Sequence, residues 1–425
     1  MNKRSPRQFL RQLLPFYQRH RARLIILAIL AVAAIFRIWQ LWQLPGGLSE
    51  SERALRTSSQ LLTTDPSQWW NTYPLTSALL AIISAPTVKW LANAPAWLRL
   101  WPAIAGVLAV GLTYLWLKDW FTRPVAWLGA LLMATSSWAV TLSRSVEAAA
   151  LLPVLGALLI WSLTKLVRQP HWYWPLVAGA TLGLGFYVHP LWQAVLVAGL
   201  GLAALAGVAW HKFSRPLVVR GLITLLVAVV VVLPIGWQIQ TTNQDLGQQR
   251  LVSAIERSQL TVTDWPGTAR WLGSYALMFN WQGDADYERN LADEPLLNVT
   301  VGILVLLGLL AAGRYWRNPR YGSLLWLSLS LWLAATLFGT RPADSLAAVP
   351  LLSLLFPLAA IGCLELIKHW RRVFPLNPVA RNLLPLVIGL LLLVTVVYDW
   401  QRYFVAWANT PEVRQIHSVA DSPPR

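Results

Sequence analysis

The sequence has little cysteine and little charge. Its one cysteine, Cys363, excludes an internal disulfide and lies in an apolar run, which predicts a packing role. Only 12% of the residues are charged and 56% are hydrophobic, whereas soluble domains carry about 25% charged residues. A Gly-rich nucleotide loop, a His/Cys metal set and a Gly-x-Ser-x-Gly elbow are all missing, which argues against a soluble nucleotide donor. The composition therefore indicates an integral membrane protein.

Apolar runs long enough to cross a bilayer, which takes about 17–25 residues, recur along the chain. They lie at 24–43, 97–117, 124–142, 146–164, 172–188, 191–210, 217–238, 297–313, 322–338, 346–366 and 383–399. The predicted fold class is all-α and polytopic, with about eleven transmembrane helices and further juxtamembrane helices at the outer surface. The shorter run 75–88 contains Pro86 and predicts an interfacial or re-entrant helix instead of a span.

The basic residues indicate how the chain is oriented. Most of them fall in the segments 1–23, 118–123, 165–171, 211–216, 314–321 and 367–382. Cytoplasmic loops of membrane proteins are rich in Lys and Arg, so these segments predict a cytoplasmic N-terminus and a multi-pass protein of the plasma membrane. The net charge of +17 then reflects the lipid bilayer as partner and predicts no nucleic-acid partner. The basic start leads into an uncleaved first span, since no convincing cleavage site follows.

This orientation divides the chain into five predicted regions. They are a basic cytoplasmic N-terminus (1–23), a transmembrane module (24–238) with a first outer loop (44–96), a large outer loop (239–296), C-terminal transmembrane helices (297–400) and an outer polar tail (401–425).

Ionisable residues are almost absent from the middle of the predicted spans and gather at their outer ends. Because charges at membrane depth mark ion pathways, their scarcity disfavours a transporter. The first outer cluster follows a Pro-Gly-Gly turn at Pro45 and presents Glu50 and Glu52. A positioned carboxylate can take a proton from a hydroxyl or bind a metal ion. A solvated acidic loop is the alternative.

Three more clusters lie at predicted outer positions. Arg144 and Glu147 share a helical face, and either pair with each other or leave Arg144 free for a phosphate. His189 follows Tyr187 and precedes a proline, which is typical of a turn residue as well as of a site. Asp284 lies in a Gly-Asp-x-Asp-x-Glu stretch that forms either a turn or a cation site, although its spacing matches no calcium loop.

Several short motifs, taken in order, resemble the GT-C superfamily of glycosyltransferases that use lipid-linked sugars. The groups they resemble are the bacterial relatives of protein O-mannosyltransferases and of lipid A aminoarabinose transferases. The motifs are Phe36-Arg37, Pro45-Gly46-Gly47-Leu48, Tyr73-Pro74-Leu75, Leu98-Arg99-Leu100-Trp101-Pro102, Ser143-Arg144, Gly185-Phe186-Tyr187 and the stretch from Phe279 to Pro295. The resemblance runs from about residue 24 to residue 366.

The chain departs from that family at two positions. Where the family has an Asp-Glu pair in the first outer loop, this sequence has Ser51-Glu52, and the Asp is the expected general base. A serine has no comparable basicity. Glu50 or Glu52 could take the role if the loop shifts by one residue. Ser345 stands where one bacterial branch often has an arginine.

The resemblance implies a membrane glycosyltransferase that moves a sugar from a polyprenyl-phosphate donor to an unknown acceptor on the outer face. Glu50 and Glu52 are its expected catalytic carboxylates. The expected substrate-binding residues, with Arg37, Arg99 or Arg144 meeting the phosphate, are Arg37, Arg99, Arg144, Glu147, Tyr187, His189 and Asp284. No metal ligands are assigned, and a divalent cation stays an open option. The alternative is a catalytically inactive GT-C-like subunit that binds a lipid or a protein.

Overall fold

The computed structural model describes residues 6–91, 95–169, 171–208, 214–242 and 265–418. Its regular elements in these residues are helical, and strands are absent from them, as the all-α prediction requires. The helices are α1 (Pro6–Ile38), α2 (Glu50–Thr64), α3 (Pro66–Thr72), α4 (Leu79–Leu91), α5 (Pro95–Trp120), α6 (Arg123–Thr135), α7 (Ser137–Arg144), α8 (Leu152–Arg168), α9 (Tyr173–Leu184), α10 (Trp192–Val208), α11 (Arg215–Thr242), α12 (Trp265–Leu277), α13 (Val299–Arg314), α14 (Pro319–Phe338), α15 (Leu352–Val373), α16 (Pro378–Gln401) and α17 (Pro411–Ser418).

Each apolar run singled out in the sequence overlaps one of these helices, except 124–142, which overlaps both α6 and α7. Within the described residues, six helices are long and apolar enough to cross a membrane, or seven if α6 and α7, which meet at a 58° bend, form one span. Three shorter apolar helices begin at Leu79, Trp192 and Val299. The prediction of a multi-span membrane protein is confirmed, and the count of eleven spans stays a prediction.

The helix boundaries follow from local chemistry. Asn298, Asn318 and Asn377 precede α13, α14 and α16, and each side chain accepts a backbone N–H of the first turn. Such caps satisfy amide groups that have no partner within the helix. At the bend between α6 and α7, the Arg37 guanidinium donates to the carbonyl oxygens of Ala134 (2.9 Å) and Met133 (3.2 Å). A buried arginine therefore satisfies the free C-terminal carbonyls of α6.

Small residues let the core helices approach closely. Gly308 of α13 lies against the carbonyl oxygen of Leu358, and Gly362 of α15 lies against the carbonyl oxygen of Leu304, where a Cβ atom would clash. Close backbone contact of this kind drives helix association in membranes, where burial of apolar surface gives little advantage. The outward faces of α11 and α16 remain apolar and exposed, and their exposed residues include Leu222, Leu226, Val229, Leu386, Leu390 and Leu393. These faces suit contact with lipid.

Contacts join predicted cytoplasmic segments to one another at one end of the bundle. Lys165 pairs with Asp119 at 2.9 Å, and Arg220 donates to the carbonyl oxygen of Leu166 at 3.1 Å. The segments predicted as outer meet at the other end. The Gln238 carbonyl there accepts the Leu75 amide at 2.8 Å. The grouping agrees with the predicted topology, while the cytoplasmic location of one end stays a prediction.

The described part of the polar tail packs onto the predicted outer end. After α16 the chain continues through the turns Arg402–Ala406 and Trp407–Asn409 into α17. The Trp407 indole donates to the carbonyl oxygen of Tyr287 at 2.8 Å, and Arg402 donates to the Asn290 side chain at 2.9 Å. The tail therefore helps to hold the large outer loop in place. The predictions for residues 243–264 of that loop and for residues 419–425 of the tail lie outside the described residues.

Candidate functional site

The first outer loop turns into α2 through a capping box. The Ser49 hydroxyl accepts the Glu52 amide at 3.3 Å, and the Glu52 carboxylate accepts the Ser49 amide at 3.0 Å. Both oxygens of Glu52 also accept hydrogen bonds of 2.7 Å from Arg99. Glu52 and Arg99 are buried, so the predicted base has its oxygens committed to the protein. Its geometry favours a role in holding the loop to α5.

Arg99 and Arg144 are both expected to bind phosphate, and every nitrogen of each guanidinium donates to a protein group. Arg99 also donates to the carbonyl oxygens of Pro45 and Gly47, each at 2.7 Å. Arg144 donates to the Tyr403 hydroxyl at 2.8 Å. Its other nitrogens donate to the carbonyl oxygens of Arg37, Trp39 and Leu44.

The three predicted phosphate-binding arginines share one environment. Arg37, Arg99 and Arg144 are each 1% exposed, and backbone carbonyls are among the acceptors of each. A guanidinium enclosed by carbonyl oxygens shapes the backbone and offers little to a ligand. The geometry therefore favours a structural role for these arginines, and their contact with substrate stays a prediction.

Ser51, where the resemblance implies a carboxylate, meets a carboxylate from elsewhere in the chain. Its hydroxyl donates to Glu288 Oε1 at 2.6 Å, and its oxygen lies 2.9 Å from the Ser49 hydroxyl. Glu288 belongs to the large outer loop and is half-buried. Glu50, the other predicted base, begins α2 and is exposed. The position of the missing Asp is thus within one hydrogen bond of an acid.

A chain of short hydrogen bonds holds Glu288 in place. Asp284 is fully buried and accepts the Ser345 amide (2.9 Å), the Ser345 hydroxyl (2.5 Å) and the Arg341 guanidinium (3.1 Å). Asp284 also accepts the Asp286 amide, and Asp286 in turn accepts the Glu288 amide, both at 3.0 Å. These turns fix the loop on buried Asp284, which favours a positioning role for that residue. Ser345, where the resemblance places an arginine, is part of the same anchor.

Glu147 approaches the same loop from the start of the segment that leads into α8. Its Oε1 accepts Arg289 Nε at 2.8 Å, and Arg289 also pairs with Asp286 at 3.1 Å. Its Oε2 is buried and has no hydrogen-bond partner among the residues that the structure describes. Burial raises the pKa of the Glu147 carboxyl above its ordinary value, and the attraction of Arg289 opposes this rise. Glu147 therefore has one oxygen left for a ligand or a proton.

A cavity of about 330 Å³ lies beside these groups. Ser51, Glu147 and His189 contribute polar side chains to its wall, and apolar residues such as Ala148 and Leu346 complete it. Pockets of this kind, apolar with a few polar groups, are typical of small-molecule sites. A smaller void shares Glu147 and Leu346 with this cavity and is also lined by Glu288 and Arg289. The second outer loop thus reaches this neighbouring void.

The structure separates the two remaining predicted residues. His189 lines the cavity, and its Nδ1 accepts the Leu191 amide at 3.2 Å. Tyr187 instead donates to the carbonyl oxygen of Val231 at 2.7 Å and packs near Trp69 and Ile235. Its hydroxyl serves the contact with α11. Of the predicted residues, Glu147 and His189 therefore have the geometry to meet a ligand in this cavity.

Sequence reasoning missed the roles of Glu288, Arg289 and Arg341. The alternating acids after Gly283 signalled a built loop, but nothing in the sequence indicated that Glu288 reaches Ser51. The capping role of Glu52, in contrast, can be predicted from the sequence, because Ser-x-x-Glu at the start of a helix is the capping-box signature.

A cation site is not evident in the described residues, which contain no group of three or more His, Cys, Asp or Glu side chains able to hold a metal ion. Asp284, Asp286 and Glu147 are each paired with an arginine. A divalent cation therefore remains an untested option, and no chemical step is assigned to one.

Comparisons with known proteins agree with this architecture. The family model described as dolichyl-phosphate-mannose-protein mannosyltransferase matches residues 74–237. The archaeal oligosaccharyltransferase AglB of Archaeoglobus fulgidus is 13% identical, with a TM-score of 0.61 over 94% of this chain and 59% of AglB. ArnT of Cupriavidus metallidurans is 14% identical, with a TM-score of 0.52 over 93% of this chain and 76% of ArnT. The chain therefore has the fold of these two glycosyltransferases.

A curated relative matches a short part of the chain. Over 95 residues the chain is 35% identical to YkcB of Bacillus subtilis (strain 168), whose name is putative mannosyltransferase. This stretch is 22% of the chain and 13% of YkcB. The matched regions cover 13% of YkcB and 59% of AglB, so this chain spans less than two thirds of the length of either protein. At these identities the structural likeness establishes the fold.

Proposed function

We propose that this protein is a membrane glycosyltransferase that takes a sugar from a polyprenyl-phosphate donor at the outer face of the plasma membrane and transfers it to an acceptor hydroxyl. The observation that carries the proposal is the cavity where Ser51, Glu147 and His189 meet, beside the carboxylate of Glu288. The site lies at the predicted outer end of a GT-C fold.

The named ligands of the similar structures support a lipid-linked donor. The ArnT structure contains undecaprenyl phosphate, and the AglB structure contains dolichol-phosphate with an inhibitory peptide. Both ligands are long isoprenoid chains that end in a phosphate. A donor of this class reaches the site laterally through the bilayer, which suits a chain without a nucleotide-binding loop.

The phosphate needs a cation, and Arg341 is our candidate. Its side chain is 35% exposed, whereas Arg37, Arg99 and Arg144 are each 1% exposed. Arg341 binds Asp284 and Asp286 through Nη2, while its buried Nε has no hydrogen-bond partner in the described part of the chain. The exposed part of its planar guanidinium can hold a phosphate oxygen. Arg341 is also anchored on the loop that carries Glu288.

The residues that line the cavity have different roles in the proposed transfer. Glu147 offers its free Oε2 to a sugar hydroxyl, and His189 lies on the wall of the same cavity. The apolar walls exclude water from the sugar and so limit hydrolysis of the donor. A carboxylate at the cavity edge accepts the proton of the acceptor hydroxyl.

Ser51 favours a second candidate, an inactive GT-C subunit that binds a lipid or protein partner. In this alternative the pair of Glu52 and Arg99 is kept because it stabilises the fold, while serine at position 51 leaves the protein without a general base.

Two measurements on purified protein separate the candidates. The first is thermal stabilisation by undecaprenyl phosphate, with undecaprenol as the control that lacks the phosphate. The second is the loss of label from polyprenyl-phosphate [³H]mannose in proteoliposomes supplied with membrane extract. We expect both stabilisation by the phosphate and turnover. Binding without turnover of any polyprenyl-phosphate sugar offered would favour the inactive subunit, and absence of both would overturn the proposal.

Arg341→Met tests the phosphate contact. We expect it to weaken stabilisation by undecaprenyl phosphate about tenfold, because one charge-assisted hydrogen bond is lost. Arg320→Met is the matched control, since Arg320 is exposed at the predicted cytoplasmic end. Equal binding by both variants would remove Arg341 from the site.

A further inference from the structure

We propose that Glu288 of the second outer loop replaces the carboxylate missing at position 51 and acts as the general base. The inference rests on the proposed transferase function and adds the residue that carries out its proton transfer. The catalytic carboxylate would have moved from the first outer loop to the second, while the scaffold of the first loop was kept.

Position and distance support this replacement. The Ser51 hydroxyl lies 2.6 Å from Glu288 Oε1, so the Glu288 carboxylate occupies space one hydrogen bond from the side chain of residue 51. Ser51 lines the cavity, and Glu288 lines the adjoining void. Glu288 is half-buried, so it is neither sealed in the protein nor fully solvated. A general base must reach its proton within about 2.6–3.2 Å, directly or through one water.

The other nearby acids are less suitable. Both oxygens of Glu52 accept Arg99, and Asp284 is fully buried among its donors. Glu147 is paired with Arg289. Of the side-chain hydrogen bonds described for Glu288, the one to its carboxylate comes from a neutral hydroxyl, which preserves more basicity than a guanidinium does.

The backbone around Glu288 is built to hold it. Its amide donates to Asp286, whose own amide donates to the buried Asp284 anchor. A base acts efficiently when its geometry is set before the substrate arrives. Two successive turns fixed on a buried carboxylate provide that rigidity on an irregular loop.

Serine at position 51 is consistent with a relocated acid. An Asp at this position would place two carboxylates in contact, and like charges at that distance raise the pKa of one of them strongly. Below that raised pKa the two acids would share one proton, so the pair would hold one charged carboxylate instead of two. Serine avoids the repulsion and donates a hydrogen bond that orients Glu288.

The reaction balances with this assignment. The acceptor oxygen forms a bond to the anomeric carbon of the sugar while its proton passes to a Glu288 oxygen. The bond between the anomeric carbon and the phosphate oxygen breaks, and its electron pair leaves with polyprenyl phosphate. Glu288 then releases the proton to water. The reaction needs no oxidant, reductant or further co-reactant.

Four variants test the inference in the assay of label leaving polyprenyl-phosphate [³H]mannose. Glu288→Gln keeps the shape and removes the basicity, so we expect a loss of about 10²–10⁴-fold in turnover, with stabilisation by undecaprenyl phosphate retained. Ser51→Asp alone should also lower turnover near neutral pH, because it creates the carboxylate pair. Ser51→Asp combined with Glu288→Gln should recover at least tenfold over Glu288→Gln. Asp293→Asn, an exposed acid of the same loop, is the control and should match the wild type.

Each failure has a distinct meaning. Wild-type activity that Glu288→Gln leaves unchanged would overturn the inference and leave the proposed function standing. A Glu288→Gln loss that the double variant does not recover would also overturn it, because the loss would then come from structure. A wild-type protein that binds donor and never turns over would overturn the inference together with the transferase proposal.

Discussion

The two outer loops are bonded in different ways. In the first, Glu52 forms a capping box with Ser49, pairs with Arg99 of α5, and is buried. In the second, Glu288 is half-buried with a neutral donor, and Arg341, which follows α14 and binds this loop, is 35% exposed. Charges that are fully enclosed by protein groups stabilise the fold, while charges with free atoms can act on a substrate. The loops meet at the hydrogen bond between Ser51 and Glu288, which joins a scaffold to the groups we propose to be reactive.

The largest expected effect is on the scaffold. Arg99→Met leaves Glu52 buried without its partner, and breaking such a pair costs about 3–5 kcal/mol. We expect a marked drop in the midpoint of thermal unfolding in detergent. Arg53→Met, on α2 of the loop that Arg99 binds and only partly buried, is the matched control. If Arg99→Met unfolds like the control and abolishes only donor binding, Arg99 is a ligand contact and the contrast between the loops fails.

The second effect concerns the anchor of the reactive loop. Asp284→Asn weakens the hydrogen bonds that the side chain of residue 284 accepts from Arg341 and from Ser345. Hydrogen bonds to charged groups contribute about 1.5–3 kcal/mol each. We expect faster hydrogen–deuterium exchange in residues 284–290 and loss of turnover, with little change in exchange at α2. Protection that stays as in the wild type would show that the loop is held by other contacts.

Residue chemistry explains which of these features the sequence could predict. Helices follow from the local length of apolar runs, so the predicted spans overlap helices, although the bend that divides 124–142 into α6 and α7 was not predicted. The grouping of polar clusters at one end follows from counting charges. Partner choice depends on distant packing instead. Ser51 and Glu288 are 237 residues apart and Glu52 and Arg99 are 47 apart, and no local pattern joins them. The sequence therefore singles out the arginines but not the carbonyl oxygens that accept from each of them, and their contact with a phosphate stays a prediction.

The third effect is the pH dependence of the second loop. Burial alone would raise the pKa of Asp286, but hydrogen bonds from Arg341 and from the Glu288 amide hold it below the ordinary value of 3.8. The folded loop therefore binds fewer protons than the unfolded chain. The stabilisation is complete above about pH 4 and is lost as the pH falls through the lowered pKa.

Hydrogen–deuterium exchange of residues 284–290 across acidic pH, corrected for the intrinsic exchange rate, measures this pH-dependent stabilisation. We expect protection of these residues to fall as the pH drops below about 4, because Asp286 then loses its charge. Asp286→Asn should weaken the loop at neutral pH and remove most of the pH dependence. The same acid sensitivity in the Asn variant would trace the effect to another group.

The smallest expected effect lies at the opposite end of the bundle and calibrates the comparison. Glu365 and Lys368 pair at 2.6 Å, but the Lys368 side chain is 58% exposed. Exposed pairs contribute about 0.3–0.5 kcal/mol on a helix, because water screens the charges and two long side chains lose freedom. Lys368→Ala should shift the unfolding midpoint far less than Arg99→Met, although both pairs are equally short. A comparable shift would mean that the distance between the charged groups alone sets the contribution of an ion pair to stability. We expect burial to set it instead, because burial distinguishes Glu52 and Arg99 from this surface pair.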